Sequence, residues 1–330
     1  MRDWCFCCHS CSAVLPTMFD VFEVVARPEM YEAGGLKPKF WFADKVFPEG
    51  AMFKHKRIGT GEDWAEKIAC ELCRVIRLPH ARYELATCTN ATGDKSPHGT
   101  ISPNFVPQIP QLGRLVVGNE FLTAFNRHAG PDRRFHAKNN TLRNIVTVMR
   151  LPLLRVPRES VDLPLHEMTP LDVFVGYVML DAWIANQDRH NENWGIVIAP
   201  DNTITLAPTY DHASSLGRNE SDSARKDRLT TKDRGRSVEN YVARARSAIF
   251  QAESDTRAMT TLEAFVAAAR LRPQAGQAWL CRLGEVSDGE MRHLLEKIPE
   301  NRISGVGIEF ALSILLANKS RLLELRAVIK

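Results

Sequence analysis

The sequence predicts an α+β fold with two lobes, in which a small β-rich lobe with one main helix precedes a larger, mostly helical lobe. Two patterns lead to this prediction. Short strand-like segments between glycine and proline turns occupy the first third of the chain, and longer segments with apolar residues at helical spacing occupy the rest. At 330 residues and 44% hydrophobic content, the chain is long enough to bury a core in each lobe.

The small lobe is predicted to hold one sheet and one amphipathic helix. A glycine turn at residues 33–39 separates the first two strands, and the strands on either side of the turn signals Pro48 and Gly50 are predicted to form a hairpin. The helix follows the third strand, beginning in the capping-box-like segment 60–63 and ending before Pro79. Its apolar residues recur at helical spacing, which predicts one face packed against the sheet. The predicted strands are residues 19–26, 40–42, 51–55, 83–88 and 100–106.

The large lobe is predicted to be built around one buried helix. Thr169, Pro170 and Asp172 combine an N-cap residue, a first-turn proline and an acidic residue three positions on, all of which favour helix initiation. The helix that follows is apolar on nearly every side, so we expect it to lie in the centre of the lobe and to anchor the loop that leaves it at Ala185. Further helices are predicted at residues 238–250, 259–270 and 308–329.

Three regions are predicted along the chain: a cysteine-rich extension at 1–18, expected to be disordered, the small lobe at 19–110 and the large lobe at 111–330. Four of the eight cysteines crowd into the extension, beside His9. A structural zinc site usually needs a second, distant ligand pair, and none has suitable spacing, so a thiol-rich tail is favoured and its role stays open. These cysteines are Cys5, Cys7, Cys8 and Cys11.

Composition and charge narrow the classes of function. The chain has 43 Lys and Arg against 39 Asp and Glu, and a net charge of +4 is weak support for direct nucleic-acid binding, which we do not expect. No uncharged apolar run reaches the length of a bilayer span, and residues 1–20 lack the clean apolar core of a signal peptide. We therefore expect a cytoplasmic protein without a membrane span.

The chemistry is predicted to lie in residues 186–195, where carboxylate, amide and imidazole side chains crowd into one loop. Phosphoryl transfer needs a carboxylate that receives the proton of the attacking hydroxyl, and oxygen ligands for Mg²⁺. Asp188 and Asn193 have the spacing of the base and the metal-binding Asn in the eukaryotic kinase catalytic loop. Asp211 follows a strand-like segment at 203–207, where a second magnesium ligand is expected.

A basic segment follows at residues 218–237 and has almost no large apolar residue. This composition predicts an exposed, mobile loop. A solvated loop is the simplest interpretation, and the position of the segment after Asp211 leaves a substrate-binding or regulatory role open.

The blocks at 186–193 and 207–217, together with the glycine loop and the Lys54 strand, resemble the HipA-type serine/threonine kinases, specifically their C-terminal kinase domain. The resemblance implies a bilobal protein-kinase-like fold that uses ATP and Mg²⁺. Full-length HipA toxins carry an additional N-terminal subdomain, so the chain is similar to the compact members. Several members have an autophosphorylated Ser or Thr in the glycine loop, whereas residues 33–39 have none, which argues against self-inactivation there.

The resemblance also implies roles for individual residues. Asp188 is the expected catalytic base, with Asn193 and Asp211 as magnesium ligands. Lys54 is the expected contact to the ATP phosphates, with Glu66 as its partner. The other residues expected at the nucleotide site are Gly34, Gly35 and Lys37 in the glycine loop, Phe105 in the adenine-holding segment 101–106, Asn186, and His190, which we expect to orient its loop by hydrogen bonding.

Several functions stay open at this point. The leading interpretation is a protein serine/threonine kinase that acts, as a toxin or translocated effector, on a translation factor or a host protein. A phosphoinositide or small-molecule kinase would share the fold. A metal-dependent phosphohydrolase could use residues 188–190 with Asp211 and His212 at a dinuclear site. A non-catalytic nucleotide-binding subunit could instead act by binding a DNA-binding antitoxin.

Overall fold

A computed structural model describes residues 18–25, 38–89, 96–107, 112–125, 138–158 and 168–330. It confirms the predicted α+β, two-lobed fold, with a five-stranded sheet in the small lobe and a four-stranded sheet among the helices of the large lobe. The predicted boundary at residue 110, the four N-terminal cysteines and the glycine-loop residues Gly34, Gly35 and Lys37 lie outside the described residues, so those predictions stay open. None of the described helices has the length and apolarity that a bilayer span requires.

The sheet of the small lobe has the order β1-β4-β5-β3-β2. The predicted hairpin is confirmed, because β2 and β3 pair antiparallel and place Lys39 opposite Lys54. Phe40 and Phe53 face the core from these two strands, with ring centroids 5.2 Å apart, so alternate residues of the hairpin build the small apolar core. The strands are β1 Val21–Val24, β2 Lys39–Phe42, β3 Ala51–His55, β4 Glu84–Cys88 and β5 His98–Pro103.

Helix α1, Glu62–Val75, lies between this sheet and the large lobe, and most of its residues are buried. The predicted capping box does not form. Gly61 is the N-cap without a side-chain bond, because the Thr60 hydroxyl donates to the Arg57 carbonyl at 2.8 Å instead. The Glu62 carboxylate also turns back and accepts the Arg57 N–H at 3.0 Å. The first turn of α1 therefore presents a buried carboxylate to arginines.

The large lobe contains three strands that periodicity did not reveal, since each has only two to four residues: β6 Arg114–Val117, β7 Leu154–Arg155 and β8 Gly195–Ile198. They join the predicted strand β9, Ile204–Leu206, in the order β6-β8-β9-β7. The helices are α2 Gly118–Phe125, α3 Leu142–Met149, α4 Pro170–Ile184, α5 Asp222–Thr230, α6 Val238–Arg244, α7 Thr261–Leu271, α8 Pro273–Glu285, α9 Asp288–Glu296 and α10 Gly305–Glu324.

Helix α4 is the predicted central helix, and every one of its residues is buried. The predicted capping box forms, with the Thr169 N–H donating to the Asp172 carboxylate at 2.8 Å and the Asp172 N–H donating to the Thr169 hydroxyl at 3.3 Å. Ala185 ends the helix in the left-handed region at φ 54°. Because α7, α8 and α10 surround α4, the loop that leaves it starts from a rigid element.

Helix α5 corrects the prediction of a mobile loop at residues 218–237. The basic segment forms a helix that packs against α10, and Arg225 is buried within it. The Arg225 guanidinium donates to Asp222 at 2.8 Å and to the Gly217 carbonyl at 3.3 Å, and it stands 5.8 Å from the Trp64 ring. An arginine can pack its apolar stem while its head is paired, which composition alone does not show.

Arg302 joins the two lobes. This buried side chain precedes α10, and it donates to Asp63 in α1 and to the Ala86 carbonyl in β4, both at 2.8 Å. A second link runs from the Gly61 N–H to the Arg218 carbonyl at 2.9 Å. These bonds hold the first turn of α1 against the large lobe, close to the loop that leaves α4.

His80 is expected to make folding sensitive to acid. Burial lowers the pKa of His80 from 6.5 to about 4, and its Nδ1–H donates to the Leu78 carbonyl at 2.7 Å. Between these two pH values the unfolded chain binds a proton that the folded chain rejects. The free energy of unfolding should therefore fall by up to about 3 kcal/mol as pH drops from about 6.5 to about 4. Urea unfolding of wild type and His80→Gln at several pH values tests this, and equal pH slopes in the two proteins would contradict it.

Candidate active site

The loop after α4 is anchored by two buried polar side chains. Asn186 donates through its amide to the Asp181 carboxylate at 2.7 Å, and its Oδ1 accepts the Asp188 N–H at 3.3 Å. Asn186 was predicted to bind the nucleotide, but its side chain is fully buried under the loop. The structure makes it a loop anchor, because its hydrogen-bonding groups are directed to the α4 terminus and to the backbone of the loop.

Arg189 forms the second anchor. Its Nε and Nη2 donate to the two oxygens of Asp181, both at 2.8 Å, and its Nη1 donates to the Asn193 carbonyl at 2.6 Å. Burial disfavours the charged guanidinium, but attraction to Asp181 outweighs it and raises the pKa of Arg189 above its ordinary value. The sequence interpretation missed this ion pair. The feature of the sequence that could have indicated it is Asp181, the one charged residue in the apolar second half of α4.

The Asp188 side chain is accessible to solvent, and each of its two carboxylate oxygens is oriented by a neighbouring side chain. Its Oδ2 accepts the Ser214 hydroxyl at 3.1 Å, its Oδ1 lies 3.6 Å from His190 Nε2, and the side chain is 45% exposed. His190 Nδ1 accepts the Glu192 N–H at 3.1 Å, so the neutral ring carries its proton on the nitrogen that faces Asp188. This geometry suits a base that an external hydroxyl can reach. His190 helps to hold the loop in this conformation through its contacts with Asp188 and the Glu192 N–H.

Asn193 faces back onto the same loop. Its Nδ2 donates to the Asp188 carbonyl at 2.7 Å, and its backbone N–H donates to the His190 carbonyl at 2.9 Å. With the amide nitrogen used in this way, the side-chain oxygen is the atom that remains as a ligand. That is the atom type that Mg²⁺ prefers.

Asp211 adopts a backbone conformation that is unusual for a residue with a side chain. Its φ is 58°, in the left-handed region, and its N–H donates to the Tyr83 hydroxyl at 3.2 Å. Its Oδ2 accepts the Lys54 ammonium at 3.1 Å. Residues held in this region outside glycine cluster at functional sites, and here the strain places a carboxylate beside the only lysine of β3.

Lys54 is paired with Asp211 rather than with Glu66, which corrects the predicted partner. Glu66 Oε1 accepts the His212 N–H at 2.7 Å and lies 3.3 Å from His212 Nδ1, so this carboxylate is engaged by the strand-end segment that carries Asp211. Burial opposes the charge on Lys54, but attraction to Asp211 and then Glu66 raises its pKa above the ordinary value. Glu66 thus supports the lysine through its charge, and Lys54 is a cation at neutral pH.

An apolar patch adjoins these charges. Phe105 stacks on Tyr210, with ring centroids 5.8 Å apart and an angle of 29° between the ring planes, and both pack near Val106 and Ala207. The Tyr210 hydroxyl donates to the Glu192 carbonyl at 2.8 Å. This cluster is mostly buried and includes Tyr210, the neighbour of Asp211 in the chain. The role predicted for Phe105 beside a planar base stays a prediction.

A cavity of about 390 Å³ opens beside Asp188 and is lined by Gln187, Arg57, Arg218 and Tyr241 among others. The Arg218 guanidinium bonds the buried Glu62 carboxylate through Nη1 and donates through Nη2 to the Ser214 hydroxyl at 2.9 Å. Ser214 in turn donates to Asp188. A continuous path of bonds therefore leads from α1 to the candidate base, and the sequence interpretation did not foresee it.

The residues present fit a magnesium ion shared with phosphates. Asn193 supplies an amide oxygen and Asp211 a carboxylate, and Arg189 Nη1 contacts the Asn193 carbonyl at 2.6 Å and the Tyr210 carbonyl at 3.5 Å, which ties the two ligand-bearing segments together. Within the described ranges, no group of three or more His, Cys, Asp or Glu side chains is placed to hold a metal. A two-oxygen protein set suits Mg²⁺, which usually completes its shell with phosphates and water.

Comparison with known proteins identifies solved structures with a similar fold. No protein-family model and no curated protein matches the chain significantly. The Helicobacter pylori proinflammatory kinase CtkA superposes with a TM-score of 0.68 at 16% identity, over 94% of this chain and 98% of that chain. The chain has the fold of this kinase. A chain of the Shewanella oneidensis MR-1 toxin–antitoxin complex of HipA, HipB and operator DNA is also similar, with a TM-score of 0.53 at 13% identity, over 90% of this chain and 67% of that chain.

These two matches confirm the HipA-like kinase fold predicted from the sequence. Nearly all of CtkA is covered, whereas a third of the Shewanella chain lies beyond the match. At such identities the likeness concerns the fold alone. The roles of Asp188, Asn193, Asp211 and Lys54 therefore rest on the local geometry and stay predictions.

Proposed function

We propose that the protein is an ATP- and Mg²⁺-dependent kinase that transfers the γ-phosphate to a Ser or Thr hydroxyl of a protein, as a toxin or effector. The observation that supports this most is the Lys54–Asp211 ion pair, 3.1 Å long and formed between residues 157 positions apart, in the same site as the exposed carboxylate of Asp188. In a HipA-like kinase fold, this combination of cation, metal-ligand oxygens and base is what phosphoryl transfer needs.

Each residue has a distinct part in the proposed reaction. Lys54 binds the phosphates of ATP through its charge, and Asn193 and Asp211 hold Mg²⁺ through side-chain oxygens. Bound Mg²⁺ would neutralise charge on the transferring phosphoryl group. Asp188 accepts the proton of the attacking hydroxyl, and the Ser214 bond at 3.1 Å keeps its carboxylate oriented for that hydroxyl.

Transfer of ³²P from γ-labelled ATP tests the proposal. Wild type should label itself or a protein in a cell lysate when Mg²⁺ is present and should lose this activity in EDTA. Lys54→Met and Asp211→Asn should each lower labelling by about 100-fold or more, because the first removes the cation that binds the phosphates and the second removes the charged ligand of Mg²⁺. The matched controls are the exposed residues Lys45 and Asp201, whose variants Lys45→Met and Asp201→Asn should label as wild type does.

The outcomes separate the alternatives. Labelling of phosphoinositide vesicles or of a small molecule, without labelled protein, would reject the protein acceptor and keep the kinase. No transfer to any acceptor, with ATP still bound, would reject the kinase and favour a nucleotide-binding subunit.

We propose a DNA-binding antitoxin as a second partner, supported by the likeness to a HipA chain whose structure was solved with HipB and operator DNA. Co-purification of the tagged chain from its own host, followed by an operator-binding assay of any small partner, tests this. A partner that does not bind DNA would contradict it.

A further inference from the structure

The cavity beside Asp188 has a lining that is basic and rich in hydrogen-bond donors. Arg57 and Arg218 face it, and Asp188 is the one carboxylate in its lining among the residues that the structure describes. The Arg57 side chain is 51% exposed, whereas that of Arg218 is 10% exposed. An acceptor segment that carries basic residues would find no carboxylate here apart from the candidate base.

The two arginines are held in place by a single carboxylate. Glu62, only 3% exposed, bonds Arg218 and lies 3.5 Å from Arg57 Nη1. One negative charge shared between two guanidiniums leaves one positive charge in excess on the arginine pair, with the Asp188 carboxylate elsewhere in the lining. Each planar guanidinium keeps further N–H donors for another anion. Glu62 therefore orients the pair without neutralising it.

The basic character continues away from the cavity. Residues 218–236 contain seven basic and four acidic side chains, and Lys226, Lys232 and Arg234 are exposed. Tyr241 lies at the cavity wall, and the Arg228 guanidinium stands 4.9 Å from its ring. A chain lying in the cavity and extending past Tyr241 would run along a surface with an excess of positive charge.

A peptide suits this surface better than a nucleic acid. The cavity of about 390 Å³ has room for a few side chains, and the whole protein carries a net charge of only +4. Moreover, Arg228 is paired with Glu220 at 2.9 Å, so the basic segment is interrupted by its own acids. Such a mixed surface favours a peptide with a few carboxylates over the continuous charge of a phosphate backbone.

We propose that this cavity is the acceptor site and that it selects an acidic protein segment, with Asp, Glu or phosphorylated residues next to the accepting hydroxyl that bind Arg57 and Arg218. The inference rests on the proposed kinase function, which requires the accepting hydroxyl to lie beside Asp188. It adds the substrate class, which neither the fold nor the catalytic residues specify.

Peptide binding tests this without any phosphoryl transfer. The probe is a dye-labelled peptide with Ala at the acceptor position and Asp and Glu on both sides, compared by fluorescence anisotropy with peptides flanked by Asn and Gln or by Lys and Arg. Wild type should bind the acidic peptide at least about tenfold more tightly than the neutral one, since charge-assisted hydrogen bonds contribute that much. Arg57→Gln should remove most of this preference, and Arg150→Gln, at an exposed arginine outside the cavity lining, should keep it.

The inference would be overturned by equal binding of the acidic and neutral peptides, by tighter binding of the basic peptide, or by an acid preference that Arg57→Gln leaves unchanged. A single-stranded oligonucleotide that binds more tightly than the acidic peptide, and loses affinity in Arg57→Gln, would assign the cavity to nucleic acid and also overturn it. Because the probe has no hydroxyl at the acceptor position, its binding is independent of the labelling assay. Acid-selective binding without any labelling would reject the kinase and leave the selectivity of the cavity established.

Discussion

Asp188→Asn is expected to lower the rate of phosphoryl transfer by about 10²–10⁴-fold, the range that a positioned general base contributes. Asn cannot accept the proton of the attacking hydroxyl, yet it has nearly the same shape, and the Asp188 side chain is 45% exposed, so the fold should tolerate it. Nucleotide binding should stay close to wild type, because Lys54 and Asp211 are untouched. Single-turnover transfer from labelled ATP and nucleotide titration measure the two quantities separately.

The matched control is Ser214→Ala, which keeps the Asp188 carboxylate and removes one hydrogen bond to it at 3.1 Å. One such bond is worth about 1 kcal/mol, so a loss of about fivefold to tenfold in rate is expected. If Asp188→Asn transfers phosphate at a rate near that of wild type, Asp188 is not the base. A biological effect that survives this substitution would support a non-catalytic role for the protein.

Arg189→Met is expected to have the largest effect on stability. It leaves the Asp181 carboxylate, which has 0% side-chain exposure, without the cation that bonds both of its oxygens at 2.8 Å. Breaking one partner of a buried pair typically costs about 3–5 kcal/mol, because an uncompensated charge stays in the interior. Urea unfolding at neutral pH should show a loss of this size.

The double variant Asp181→Leu/Arg189→Met separates charge from packing. Replacing both partners with apolar residues removes the unpaired charge, so this variant should be more stable than Arg189→Met alone. The exposed control Arg150→Met should change the free energy of unfolding by less than about 0.5 kcal/mol. A loss below about 1 kcal/mol in Arg189→Met would mean that water or another group compensates Asp181, contrary to the closed network seen here.

The parts of the fold that could be predicted from the sequence depend on neighbouring residues. The hairpin of β2 and β3, the capping box of Thr169 and Asp172, and the strand β9 were predicted because alternation, N-cap chemistry and turn residues act over a few positions. The strands β6, β7 and β8 were missed because two to four residues are too few to show a period. The burial of Arg225 was missed because two of the groups that its guanidinium contacts, the Trp64 ring and the Gly217 carbonyl, lie outside its own helix.

The candidates for the chemistry could be recognised in the sequence, since the spacing of Asp188 and Asn193 and the position of Asp211 after a strand are visible along the chain. Which of these side chains meet depends on the packing of distant segments. Lys54 pairs with Asp211 across 157 positions, and Glu66 is engaged by His212 across 146. The choice between the buried Glu66 and the half-buried Asp211 for one lysine depends on distances set by how α1 packs between the lobes. Those distances follow from the whole core and not from any local pattern.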